Sequence, residues 1–155
     1  MAYLPEVAAV LKLAFDHEGW TFGFDAGTGT LEAGFDLDCR LEQTPLYIHI
    51  LEDVVLCHAY APLKVPEEDR RRVMEFVTRA NCGLKLGNFE MDLDTGVVCF
   101  KTTLCLTGSP LPVRGAMTEL VRGALSVLED YGDALDDVVK GRKTPSEAVR
   151  AAERN

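Results

Sequence analysis

Leu31-Glu32-Ala33-Gly34-Phe35-Asp36-Leu37-Asp38-Cys39-Arg40-Leu41 is the stretch that decides the fold class. Leu31, Ala33, Phe35, Leu37, Cys39 and Leu41 fall at every second position, with Glu32, Gly34, Asp36, Asp38 and Arg40 between them. Successive side chains of a strand point to opposite faces, so this period predicts one buried and one wetted face, as in an antiparallel sheet covered on one side only. Upstream, Trp20, Phe22 and Phe24 alternate with Thr21 and Gly23 and predict another strand, joined through a turn at Gly27-Thr28-Gly29. Downstream, Thr44-Pro45 breaks the alternation. Leu46, Ile48 and Ile50 then alternate with Tyr47 and His49, and Glu52-Asp53 turns the chain into a strand over Val54 to Tyr60.

Helical periodicity surrounds these strands. From Leu4 to Glu18 the apolar positions 4, 7, 8, 11, 14 and 15 form one face of a helix that Gly19 ends. Pro62 to Pro66 reads as a linker into a second helix, with Pro66 at its first position and Glu67, Glu68 and Asp69 at the positive end of its dipole. Val73, Phe76, Val77 and Ala80 form its inner stripe and Gly83 its stop. Phe89, Met91 and Leu93 then face inward against Glu90, Asp92 and Asp94, and a turn at Asp94-Thr95-Gly96 leads into Val97 to Leu106 to complete a hairpin. A long third helix is predicted from Val113 to Val139, with Gly123 and Gly132 in its interior. Thr144-Pro145-Ser146-Glu147 is a capping box that opens a short final helix. The order is α-ββββ-α-ββ-α-α, an α+β fold in one domain spanning 1–155.

Composition narrows the function. A chain of 155 residues, 47% of them hydrophobic, buries enough surface to hold a core without a metal or disulfide staple. No apolar run approaches the roughly 20 residues of a membrane-spanning helix. Met1-Ala2-Tyr3-Leu4-Pro5-Glu6 lacks the basic and apolar regions of a secretory leader, so a cytoplasmic location is expected. A net charge of −9 repels nucleic-acid phosphates. The segment from Lys140 to Asn155 carries +3 against about −12 for the rest. It reads as the solvated face of a final helix, with an anionic partner or the chain's own acidic body as the other contacts open to it.

The candidate chemistry is thin. Cys39, Cys57, Cys82, Cys99 and Cys105 are widely spaced with no C-x-x-C pair, and read as small core hydrophobes. Asp94-Thr95-Gly96 matches the tripeptide around the catalytic aspartate of aspartic proteases. The alternating Glu90 and Asp92 upstream, and Val97 after the glycine, favour a hairpin turn instead. Asp36-x-Asp38 and Asp92-x-Asp94 each put two carboxylates on one strand face, short of the roughly six to eight oxygens of a Ca²⁺ site. His17, His49 and His58 form no ligand set, although His49 and His58 could approach across a hairpin. Cys57 and His58 are adjacent and point to opposite faces, so they make no nucleophile–base pair. Neither a P-loop nor G-x-G-x-x-G occurs. No catalytic, cofactor-binding or metal-binding residue is assigned, and no cofactor is expected.

The segment from Arg72 to Leu104, R-V-M-E-F-V-T-R-A-N-C-G-L-K-L-G-N-F-E-M-D-L-D-T-G-V-V-C-F-K-T-T-L, resembles the central signature of the YbjN-like bacterial family. The matching residues are Asn81, Gly83, Leu84, Gly87, Asn88, Phe89, Glu90 and Gly96. A second match lies at Tyr131, Leu135, Gly141, Pro145 and Ala148. Gly83 is expected to supply the positive φ that ends a helix, Asn81 to bond groups orphaned in its last turn, Gly87 to allow a close backbone approach, and Phe89 to anchor the next strand. The resemblance implies a type III secretion chaperone-like fold: an antiparallel sheet with helices packed on one face, in proteins that often form homodimers and hold an extended client segment. It also implies the family's label of sensory-transduction regulator, and it brings no catalytic residues.

The expected function is therefore a non-catalytic, chaperone-like protein-binding module. A homodimer would dock a segment of a partner protein on the long helix or at the sheet edge, by strand addition or in an apolar groove. The alternative is a regulatory domain that acts through a protein partner without chaperone activity. The wide apolar stripe of the third helix, flanked by Val127 and Ala134, suggests a surface for a partner helix, and the acidic body suggests a basic or amphipathic client.

Overall fold

The computed structural model describes residues 3–108 and 110–154; Met1 and Ala2, the start of the hexapeptide read for a leader, lie outside them. Helix α1 (Pro5–Glu18) buries Val7, Ala8, Leu11, Ala14 and Phe15, the stripe its periodicity predicts, and Gly19 closes it with φ 71°. Among the described residues six strands follow in two groups: β1 (Gly23–Asp25), β2 (Thr30–Asp36), β3 (Gln43–Ile50), β4 (Val54–Lys64), then β5 (Asn88–Met91) and β6 (Val97–Cys105) after helix α2 (Arg70–Gly83). Helices α3 (Arg114–Val139) and α4 (Pro145–Ala152) complete the chain. The strands form one sheet in the order β1-β2-β3-β4-β6-β5. Every pairing is antiparallel.

Among the described residues the four α-helices pack together on one face of this sheet. Leu46, Ile48, Ile50, Val55, Cys57, Ala59, Val98 and Phe100 point into a continuous core with Phe76, Met117, Val121, Leu128 and Leu135. The stripe of α3 is used up inside the molecule, because α3 contacts β4, β6, α1, α2 and α4. Among the described residues, none of the exposed large hydrophobics lies within α3. Its width, read as a sign of a partner helix, is explained by this many-sided packing.

Several boundaries depart from the sequence pattern for local reasons. The Leu31–Leu41 alternation spans strand and loop: β2 ends at Asp36, and Glu42 takes φ 66° in the turn that follows. Leu37 and Leu41 are buried nonetheless, because the loop folds onto α3. The Asp38 and Arg40 amides donate to Glu129 Oε1 (3.0 Å) and Asp133 Oδ1 (2.7 Å). Thr44-Pro45 does not interrupt the sheet; it lies inside β3, where Pro45 pairs with Gly34. Proline lacks an N–H, and the Thr44 hydroxyl donates to the Tyr60 carbonyl on the other neighbouring strand instead, at 2.8 Å. Trp20 and Phe22 stand outside β1 and join Phe15 and Phe35 in an edge-to-face aromatic cluster.

The expected Pro62–Pro66 linker is largely strand: β4 reaches Lys64 through a register shift after Tyr60. Pro66 precedes a 3-10 turn (Glu67–Asp69) rather than opening α2. Leu93, read as inward, is exposed, since β5 ends at Met91.

The signature residues also act differently from their sequence reading. Gly83 is the last residue of α2 and has no positive φ. A Cβ there would collide with the Glu153 carboxylate and sit 3.6 Å from the Tyr131 hydroxyl, so this glycine serves close packing. Gly87 does take a positive φ, 74°, and an added Cβ would lie 2.6 Å from the Lys101 carbonyl. Asn81 bonds strand β5 rather than its own helix: its Oδ1 accepts from the Phe89 amide at 2.7 Å and its Nδ2 donates to the Phe89 carbonyl at 3.1 Å. Phe89 is buried as expected. At α4 both halves of the Thr144–Glu147 capping box form.

The two interior glycines of α3 separate on mutation. Nothing lies within 4 Å of a Cβ at Gly123, whereas one at Gly132 would be 2.6 Å from Cys39 Sγ and 3.1 Å from Leu41 Cδ1. Gly123→Ala is expected to gain about 1 kcal/mol from helix propensity. Gly132→Ala is expected to lose about 1–2 kcal/mol, overpacking against the loop outweighing the same gain. Urea unfolding of both variants checks the opposite signs.

Candidate functional site

The face of the sheet without helices is the distinctive surface. Strand register builds it in rows. One runs Glu32–Tyr47–His58–Lys101–Asn88, since each residue is the cross-strand partner of the next. A second runs Thr30–His49–Leu56–Thr103. A third, through Tyr60, Cys99 and Glu90, lies beside them. Cross-strand neighbours on one face sit about 5 Å apart, so these side chains touch.

At the centre the aromatic rings form a chain. Tyr47 meets Tyr60 edge to face at 5.9 Å between centroids, Tyr60 stacks on His58 at 6.1 Å, and His58 meets His49 at 5.8 Å. The anticipated approach of the two histidines is therefore real. Thr30 Oγ1 holds His49 Nδ1 at 3.1 Å, while His58 Nδ1 is buried with no hydrogen-bond partner. Burial first, and then the neighbouring His49, hold His58 below the usual imidazole range. Burial opposes ionisation of Glu90, but hydrogen bonds from Lys101 and Asn88 outweigh it and keep its carboxyl below the usual range. Glu90 and Lys101 form an ion pair.

The other sequence candidates are dispersed. Asp94-Thr95-Gly96 is the hairpin turn: Asp92 Oδ1 accepts the amides of Asp94 (2.8 Å) and Thr95 (3.1 Å), and Gly96 has φ 77°. Asp36 closes β2 while Asp38 lies in the loop beyond it, so the pair does not share a strand face. His17 sits beside Glu18 on α1, away from the other two histidines. Among the described residues no group of three or more potential ligands could hold a metal. The five cysteines are free, and burial pushes the Cys57 thiol up to about 12, as for an inert core residue. Cys82 and Cys105 are exposed, contrary to the core reading.

The basic tail meets the chain's own body. Lys140, Arg142 and Lys143 pair with Asp136 and Asp137, which Arg40 also contacts.

One docking mode is closed at the β5 edge. The Asp92 amide donates to Val97 on β6, so at a period of two Glu90 and Asn88 also direct their backbone groups to β6, and Phe89 directs its own outward. Those outward groups are the pair that Asn81 occupies. A strand added there would have to displace the carboxamide.

The sequence model of the YbjN family, described as "Putative bacterial sensory transduction regulator", matches residues 8–137. The chain belongs to the YbjN family. A solved relative agrees with the fold: the crystal structure of YbjN from E. coli, "a putative transcription regulator", superposes with a TM-score of 0.58 at 12% identity, covering 83% of this chain and 89% of that one. No curated protein matches in sequence. YbjN membership accounts for the Asn81–Gly96 signature and the α+β order, while Tyr47, His49, His58 and Tyr60 stand outside the signature. Their signal was parity: Tyr47 and His49 alternate with Leu46, Ile48 and Ile50, which places them on the wetted face. Among the described residues of this YbjN chain no helix is long and apolar enough to cross a membrane.

Proposed function

We propose that this YbjN-family chain is a non-catalytic regulatory module that docks a segment of a protein partner on the uncovered sheet face. The observation that carries this is the linked ring system of Tyr47, Tyr60, His58 and His49 on a face with no helix over it. Tyrosine and histidine on a rigid sheet supply large contact area at small conformational cost, as at protein interfaces. The family description as a regulator fits a module that works by contact.

Size favours a segment over a whole second copy. Six strands about 4.8 Å apart and on average roughly seven residues long give this face roughly 650 Å² in projection, short of the roughly 800 Å² per partner of a stable interface. It accommodates one extended chain or one helix. In the same proposal two copies of the chain pair through a different surface, and the protein works in the cytoplasm holding its partner in chaperone-like fashion. Regulation without chaperone activity is the second reading, favoured by the family description.

The test is site-directed photo-crosslinking in cells, with the reactive residue at Tyr47 or, as control, at Glu75 on the helical side. Adducts are expected from Tyr47 alone. The protein captured there, once purified, should bind about tenfold more weakly to Tyr60→Ala, as for an aromatic anchor in an interface. Equal adducts at both positions, or unchanged affinity in the variant, would overturn the docking face. Light scattering at micromolar concentration tests the pairing separately.

A further inference from the structure

One end of the uncovered face is a concavity of about 770 Å³ between β4, β6, β5 and the β5–β6 turn. Its floor includes Val97 and Cys99, its wall His58 and Tyr60, and its rim Glu90 and Asp92. No cationic residue lines it. Three cations border it: Lys101 is paired with Glu90, Arg70 donates to the Val65 carbonyl and to the Leu93 and Asp94 carbonyls of the turn, and Lys64 stands across from Val97 at the outer edge. The His58 and Tyr60 rings are stacked, 27° apart in plane, and so present neighbouring π-faces. Burial and His49 favour the neutral form of His58, which leaves that ring without a charge of its own to repel a cation. Burial also raises the Cys99 thiol to about 11, keeping the floor uncharged.

An apolar floor, stacked rings and two carboxylates at the mouth suit one kind of side chain. An arginine lays its methylenes on the floor, its planar guanidinium against the aromatic faces and its N–H groups toward Asp92 and toward Glu90 Oε2, the oxygen that Lys101 and Asn88 do not engage. A lysine ammonium is a compact point charge without the planar fork, and gains less from stacked rings. An acidic or phosphorylated segment would meet Glu90 and Asp92 with like charge. The whole chain, at −9, attracts a basic segment and repels an acidic one.

Resting on the docking face proposed above, we infer that this concavity is an arginine-recognition pocket, seating the guanidinium side chain of a basic partner segment between Tyr60–His58 and Glu90–Asp92. It gives the face its specificity, with Tyr47 and Leu56 contacting the flanking residues of the segment.

The test uses the full chain and two small probes, N-acetyl-arginine methylamide and its uncharged isostere N-acetyl-citrulline methylamide, titrated while amide resonances are followed by NMR. Saturable shifts confined to Tyr60, Glu90 and Val97–Cys99 are expected with the arginine probe and not with citrulline. Asp92→Asn retains the Oδ1 acceptor on which the hairpin turn depends, so the fold survives, and the double variant Glu90→Gln/Asp92→Asn should weaken the arginine response about tenfold. Non-saturating shifts spread over the acidic surface would overturn the inference, as would an equal response to citrulline, to N-acetyl-lysine methylamide or by the double variant. The two ideas fail apart. If the partner captured at Tyr47 loses affinity with Tyr60→Ala but not with the double variant, the pocket falls and the docking face stands. If Tyr47 captures nothing while the probe still saturates, the reverse holds.

Discussion

Asn81→Ala is expected to destabilise the chain by about 2–3 kcal/mol and to lower the melting temperature by roughly 5–10 °C. The reasoning is an accounting of backbone groups. Phe89 sits on an edge strand with its amide and carbonyl turned away from β6, and Asn81 satisfies both, at 2.7 and 3.1 Å. Alanine leaves the Phe89 amide unpaired and its carbonyl with only the long contact from Asn88 Nδ2 at 3.4 Å, beneath the last turn of α2, where an unmade hydrogen bond costs about 1–3 kcal/mol if water is excluded. The site is part-buried, so the lower half of that range applies. A second effect separates this role from ordinary packing: the freed edge offers the hydrogen-bonding pattern of an open strand. The variant should therefore self-associate with increasing concentration, detectable by light scattering. Asn81→Asp keeps the acceptor for the Phe89 amide but sets a carboxylate against the Phe89 carbonyl, and should destabilise without restoring the donor. An alanine variant that melts within a degree of the parent and stays in the parent's association state would show that Asn81 does not guard this edge.

That role was not legible in the sequence, although Asn81 was singled out there. Proximity along the chain suggested the helix end, whereas its partner lies eight residues on, across a glycine turn. The same kind of limit explains Gly132 and Gly83, whose constraints come from Cys39, Leu41 and Glu153, distant in sequence. Period-two and 3.6-residue patterns, by contrast, gave the element order and its one-sided burial, because each depends on whether a residue faces core or water. They failed at Leu37–Leu41, where a loop buries alternate residues against α3 without being a strand, and at Thr44-Pro45, where a hydroxyl replaces the missing amide. The aromatic face was half legible. Parity placed Tyr47 and His49 on the wet side and the hairpin brought His58 near. The concavity beside them depends on β6 inserting between β4 and β5, an order no local pattern encodes.

Acid should unfold the chain through the far end of α3. Asp136 and Asp137 are nearly buried, their side chains 8% and 6% exposed, in contact with Arg40, Lys140, Arg142 and Lys143. Asp137 Oδ1 lies 2.9 Å from both Arg40 Nη1 and Arg142 Nε, and Oδ2 lies 2.8 Å from Lys143 Nζ. The Arg40 hydrogen bond foremost, with those from Lys143 and Arg142, holds the Asp137 carboxyl far below the usual carboxylate range against the opposing effect of burial. For Asp136 burial is the largest influence and opposes ionisation, but Lys140 and Arg142 overcome it and the net direction is also down. A folded-state value below the unfolded one means that the unfolded chain binds protons first. The stabilisation is complete above the unfolded carboxylate value and is lost as pH falls from about 5 toward the folded values. Removing the carboxylate should act most at neutral pH, and less as acid protonates the parent's own Asp137. Asp137→Ala is expected to lose about 2–3 kcal/mol at pH 7, less than the roughly 3–5 kcal/mol of a fully buried pair, because Arg40, Arg142 and Lys143 remain 43–44% exposed and can rehydrate. The variant should also show a flatter decline in stability between pH 5 and pH 3 than the parent, since one of the responsible groups is gone. Urea unfolding across that interval measures both, and parallel curves for the two proteins would remove Asp137 as a source of acid sensitivity. The cluster joins the Leu37–Leu41 loop to the α3–α4 turn, so its loss should loosen the helical side first. The tyrosine–histidine face on the other side of the sheet should keep its chemical shifts in the Asp137 variant at pH 7.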